Sequence, residues 1–140
     1  MPERARKAAL WLRVSTTDQT TENQLASLEA EAKRRGLLPV RIFDVTASGY
    51  KGEQEALLSE LVNRAARREY GVVLLWALDR LDRRGIVSTL TVVHRLTALG
   101  VTLISLREPW LEQDGPYRDL LTSLMAWVAQ QESQRRSERI

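Results

Sequence analysis

The sequence predicts an α/β fold, a mainly parallel sheet of four to five strands flanked by helices. Three observations carry this. Short apolar runs alternate with longer stretches of helical periodicity. The runs are apolar at consecutive positions, as strands covered on both faces require. Gly36, Gly71 and Gly100 each stand between a helical stretch and the next apolar run, where a helix stop belongs.

Residues 8–14 form a mostly apolar run that stops at Ser15-Thr16-Thr17-Asp18, the pattern of a buried strand entering a loop. Thr21 followed by Gln24 reads as a capping box, and Leu25, Leu28 and Ala32 fall on one face of the helix that follows, up to Gly36. Residues 38–43 are the second strand. A second helix over about 53–69 turns Leu57, Leu58, Leu61, Val62 and Ala65 inward and ends at Gly71. Residues 72–76 make the strongest strand. A third helix over 86–99 sets Ile86, Leu90, Val93 and Thr97 along one stripe, and residues 101–106 are the fourth strand. Pro116 opens a last helical stretch, where Leu120, Leu121, Leu124, Met125 and Val128 are candidates for burial in the core or between subunits.

The chain has 140 residues, 44% of them hydrophobic, enough for one domain with a real core. It has no cysteine and one histidine, which excludes disulfides, thiolate chemistry and multi-histidine metal sites. The net charge of +3 says little, but 18 arginines against 3 lysines favour a phosphate-rich partner, because the planar guanidinium grips phosphate bidentately. No apolar run approaches the roughly 20 residues that span a bilayer, so the expectation is a soluble, cytoplasmic protein with no membrane partner. Neither G-x-G-x-x-G nor G-x-x-x-x-G-K-[ST] occurs, so no nucleotide cofactor is expected.

In parallel sheets, ligands bind outside the carboxyl ends of the strands, which brings loops 13–19, 44–52, 77–85 and 107–115 together. Arginine is concentrated there, in Arg13, Arg80, Arg83 and Arg84. Asp79 and Asp82 lie among these arginines, which oppose a cation, so no metal site is expected. His94 falls in mid-helix, away from this edge, as a surface or packing residue. Ser15 is left as a nucleophile without a histidine partner.

Three segments, Leu12-Arg13-Val14-Ser15-Thr16 with Asp18-Gln19 and Asn23-Gln24, then Thr46-Ala47-Ser48-Gly49, then Leu78-Asp79-Arg80-Leu81 with Arg83, resemble the serine recombinases: resolvases, invertases and large serine integrases. The likeness runs from about Ala8 to the end. It implies a resolvase-like catalytic domain over 1–127, the start of a long C-terminal dimer helix over 128–140, and a DNA-binding domain outside this chain. It also implies site-specific DNA recombination, in which a serine attacks a backbone phosphate to form a 5′-phosphoserine link and free a 3′-hydroxyl, with neither metal nor cofactor.

By position in the motifs, Ser15 is the nucleophile. Arg13, Arg80 and Arg83 hold the scissile phosphate, and Asp79 orients an arginine or moves a proton. Gln19, Gln24 and Ser48 position the phosphate or the serine, and Arg139 joins from the last helix. The implied partners are double-stranded DNA and other copies of the chain, as a homodimer that pairs into a tetramer on DNA.

Three positions depart from the family pattern. Glu53-Gln54-Glu55 stands where the family has an arginine at the start of the second helix, Asp82 replaces a glycine, and Trp11 replaces a tyrosine. These departures leave an alternative reading open, a catalytically degenerate DNA-binding or assembly module of the same fold.

Overall fold

The computed structural model describes residues 6–13, 21–45, 51–82, 84–113 and 115–138. Four parallel strands, β1 (Lys7–Leu12), β2 (Leu38–Asp44), β3 (Val72–Leu75) and β4 (Thr102–Ser105), form one sheet in the order β2-β1-β3-β4. Helices α1 (Thr21–Arg34), α2 (Lys51–Ala66), α3 (Ile86–Ala98) and α4 (Pro116–Glu138) alternate with or follow them. Two short 3-10 turns, Leu78–Arg80 and Pro109–Glu112, lie beyond the carboxyl ends of β3 and β4. Among the described residues no helix is long and apolar enough to cross a membrane.

Successive strand residues point to opposite faces, which is why the central strands read as unbroken apolar runs. Ala8, Leu10, Leu12, Val72, Leu74 and Ile104 pack with Leu28 and Ala32 of α1. Ala9, Trp11, Val73, Leu75 and Leu103 pack on the other face with Leu58 and Leu61 of α2, Val93 and Leu96 of α3, and Met125 of α4. One helix therefore covers one face and three cover the other. The edge strand is partly bare: Leu38, Val40 and Ile42, expected inside, are 49%, 41% and 49% exposed, with Ile42 beside Leu10 on the α1 face.

Two helices end as their glycines predict. Gly36 at φ +71° and Gly100 at φ +82° take the left-handed conformation, and the residues after them, Leu37 and Val101, donate back to Ala32 and Leu96. The second helix differs. It stops at Ala66, and Arg68 at φ +63°, not Gly71, makes the same reversal, with Glu69 N–H donating to Arg64. Gly71 instead lies beside β1, its N–H on the Lys7 carbonyl at 3.1 Å.

The stripe of α3 is also rotated from expectation. Thr89, Leu90, Val92, Val93 and Leu96 are buried, while Ile86 is 71% exposed and Thr97 lies on the surface. The buried arc is set by α2, α4 and the sheet together, so it is wider and turned relative to a single stripe. α4 runs without a break through position 128.

Candidate active site

β1 and β3 are paired in parallel, so the chain leaving each arrives at the same edge. Trp11 is fully buried on the α2/α3 face, and its indole Nε1 donates to the Arg80 carbonyl at 2.8 Å. Arg13 lies just past the end of β1, half-buried. Its Nε donates to the same Arg80 carbonyl at 3.1 Å, and its Nη2 donates to the Asp79 carbonyl. The guanidinium thus clasps the backbone of the 3-10 turn, joining two segments 66 residues apart in sequence. Asp79 is exposed at this edge and Arg80 half-buried.

Gln24 is 2% exposed and donates from Nε2 to the Arg13 carbonyl at 3.1 Å. The amide is turned towards the end of β1, where a strand-end carbonyl needs a donor; the side chain of Thr21, the other half of the expected capping box, lies outside the described residues. Its Oε1 is buried without a hydrogen-bond partner among the described residues.

The two polar departures from the family pattern touch each other. Asp82, its side chain fully buried, receives Gln54 Nε2 at 3.4 Å. It also accepts the Arg84 backbone N–H at 2.9 Å and holds the Arg84 guanidinium through Nε at 3.1 Å and Nη2 at 2.8 Å. This hydrogen bond raises the Arg84 pKa above its ordinary value, and the Asp82 charge adds to it. Arg84 Nη1 lies 3.7 Å from Glu55, so the guanidinium also faces α2. The carboxylate at 82 is turned inward and paired.

On the β4 side, Glu108 Oε1 accepts the Leu78 N–H at 2.8 Å and the Ser105 hydroxyl at 2.7 Å. Arg13, Asp79, Arg80 and Glu108 line the polar end of a cleft of about 980 Å³, whose other wall includes Leu120 and Leu124 of α4. Trp110 and Tyr117, with ring centroids 5.9 Å apart, line it between them. His94 sits on the exposed side of α3, in a shallow cleft with α4, away from this edge. Among the described residues, no three acidic or histidine side chains come close enough to hold a metal ion.

Of the residues singled out from sequence, Arg13, Asp79 and Arg80 come together at the edge, and Gln24 braces them from behind. Ser15, Gln19, Ser48, Arg83 and Arg139 lie outside the described residues. Sequence reasoning missed the parts played by Trp11, Glu108 and the Asp82–Arg84 pair. The available signals were an indole at a strand end and an acid three residues beyond the serine that closes β4. Chemically, Arg13 and Arg80, two cations that line the cleft, can stabilise a phosphate and the charge that develops on it.

Residues 8–140 match the model of the family described as "Resolvase, N terminal domain". No curated protein matches the sequence. Solved structures similar to the chain include three serine recombinase domains. The N-terminal catalytic domain of TP901-1 integrase is 24% identical, with 96% of this chain and 100% of that chain covered and a TM-score of 0.66. The C-terminal catalytic domain of ISC1926 TnpA, an IS607-like serine recombinase, is 26% identical over 84% of this chain and 77% of that chain, with a TM-score of 0.57. A serine recombinase from Sulfolobus solfataricus is 20% identical over 96% and 88%, with a TM-score of 0.53. The first and third likenesses are likenesses of fold.

Proposed function

The chain belongs to the resolvase N-terminal domain family, the catalytic domains of serine recombinases, and from that premise we propose that it cuts and rejoins double-stranded DNA through Ser15. The Ser15 hydroxyl attacks a backbone phosphorus as the P–O3′ bond breaks. The serine gives up a proton and the leaving 3′-oxygen gains one, so a phosphodiester is exchanged and none is hydrolysed. Attack by a 3′-hydroxyl on the phosphoserine reverses the step with a new strand. Bond energy is kept in the protein–DNA link, and no cofactor is called for.

In this reading Arg13, Arg80 and Arg83 grip the phosphate and stabilise its transition-state charge, and Asp79 orients an arginine or carries a proton. Gln19, Ser48 and Arg139 contact the phosphate or the serine, and Gln24 fixes the strand end that leads to it. The observation that carries the reading is the Arg13 clasp on the carbonyls of Asp79 and Arg80, because it joins Arg13, just past the end of β1, to the turn beyond β3 at one sheet edge. The inward turn of Asp82 supports it further, since the carboxylate there is paired with Arg84 and does not oppose a phosphate. The partners are then duplex DNA and further copies of the chain, paired as dimers that join into a tetramer on DNA.

The test incubates the full-length protein, in EDTA, with a plasmid library of genomic fragments from its source, and captures covalent protein–DNA adducts after denaturation. Wild-type protein yields adducts through a 5′ phosphate, and Ser15→Ala yields none while still binding DNA. Arg80→Ala cleaves the captured site roughly 10²–10³-fold more slowly, as loss of one fixed donor to a developing charge predicts. A strict need for Mg²⁺ in the cleavage step, or adducts that survive Ser15→Ala, rejects the mechanism.

A further inference from the structure

The turn Leu78–Arg80 presents Asp79 and Arg80, yet it has little to hold it in place by itself. Its internal closure is the Arg80 N–H on the Ala77 carbonyl at 2.9 Å and the Leu81 N–H on the Leu78 carbonyl at 3.1 Å. A 3-10 turn of three residues is not stable alone, and the first N–H groups of any helical turn have no partner within it.

Both needs are met from neighbouring strands. On the β1 side, Trp11 and Arg13 take the turn's carbonyls. On the β4 side, Glu108 takes its first N–H, at 2.8 Å from Leu78. The same Glu108 oxygen is pinned by the hydroxyl of Ser105, at 2.7 Å, and Ser105 is 1% exposed, so the carboxylate is fixed by a buried group of the sheet. An ionised acceptor makes the stronger, shorter kind of hydrogen bond to a backbone donor.

We propose that Glu108, anchored by Ser105, is a positioning residue that sets the orientation of Asp79 and Arg80 for phosphoryl transfer, an inference that rests on the recombinase reading. Glu108 acts through the backbone of the turn. Its contribution therefore falls on the rate of strand cleavage and not on the affinity for DNA, which is spread over many phosphate contacts.

The test compares Glu108→Ala, Glu108→Gln and Ser105→Ala on the site captured by the wild-type protein, with backbone amide hydrogen exchange of the free proteins alongside. Glu108→Ala slows cleavage at saturating DNA roughly 10- to 100-fold, the cost of a displacement on the order of 1 Å at a catalytic group, with half-saturation unchanged. Glu108→Gln keeps the accepting oxygen and returns the rate to within about fivefold, because a neutral bond is roughly half as strong. Ser105→Ala falls between the two and carries the comparison if Glu108→Ala does not fold. The Leu78 and Arg80 amides exchange about tenfold faster in Glu108→Ala, while those of Leu74 and Ile104 keep the wild-type rate. Cleavage at the wild-type rate in Glu108→Ala, a loss confined to DNA affinity, or unchanged exchange at Leu78 overturns the inference. If the wild-type protein captures no DNA, the recombinase reading falls by itself, and the exchange comparison alone then decides whether Glu108 positions the turn.

Discussion

Asp82 and Arg84 share one ion pair but not one environment. The Asp82 side chain is 0% exposed and that of Arg84 is 46% exposed. Among the described residues, removing the arginine leaves the buried carboxylate with only Gln54 and one backbone N–H as partners, whereas removing the aspartate leaves a guanidinium already half in water. An uncompensated buried charge costs far more than a solvated one. Arg84→Ala should therefore lower the unfolding free energy by about 2–3 kcal/mol, and Asp82→Ala by only about 1 kcal/mol, both read from urea titrations. Equal losses would show that Asp82 is hydrated. The pair also marks the limit of what the sequence tells at this scale. That Arg13, Asp79 and Arg80 meet at one edge is legible in the sequence, because strands and loops alternate at spacings that bring the ends of β1 and β3 together. Spacing does not tell which way a side chain turns, so the inward aim of Asp82 and the grip of Gln24 on β1 become visible only when neighbouring elements are in place.

Helices and strands were legible to within a few residues because each depends on a local period, and the misreadings arise where a second element sets the answer. The buried arc of α3 is fixed by three neighbours, and the exposure of Leu38, Val40 and Ile42 by the place of β2 at the edge of the sheet. The end of α2 is instructive, since a left-handed residue is required and the chain supplies Arg68 in place of glycine. A side chain in that conformation costs roughly 1 kcal/mol, and Arg68 is exposed, so Arg68→Gly should raise stability by about 1 kcal/mol. No gain in urea midpoint would mean that the arginine side chain returns what its backbone costs. At the end of α1, Glu31 receives Arg34 and Arg35, and Arg35 continues to Glu112 at 2.5 Å, tying the helix to the 3-10 turn beyond β4. The Arg34 hydrogen bond leads in lowering the Glu31 pKa from its ordinary 4.5 to about 2, against the opposing effect of burial, with Arg35 adding to the shift. A pKa depressed by folding gives stability that is present above 4.5 and is lost as pH falls through about 2. Glu60 acts in the same direction through Arg64, so the informative quantity is a difference: Glu31→Gln should lose less stability than wild type across that window. Parallel stability curves for the two proteins would remove Glu31 from the acid response.

α4 carries two apolar faces, and its own domain uses one. Leu121, Met125 and Val128 are buried at 6%, 5% and 3% exposure, whereas Tyr117, Leu120, Leu124 and Trp127 are 68%, 59%, 40% and 56% exposed. The exposed set recurs at spacings of three, four and three residues, which makes an apolar seam along the outside of the helix. Sequence alone could nominate this helix for both roles but could not divide its residues between them, because the direction of the core is a property of the whole molecule. A second copy of the chain is the partner proposed for that seam. Leu124→Glu should then convert a dimer at micromolar concentration into a monomer in sedimentation velocity, with folding stability within about 0.5 kcal/mol of wild type, as for a surface position. Leu120 and Leu124 also form a wall of the cleft that holds Arg13 and Arg80, so a subunit seated on the seam closes that cleft from the open side. The same variant should therefore lose strand cleavage although Leu124 makes no contact with phosphate, and dimers that persist in Leu124→Glu would place the subunit contact elsewhere.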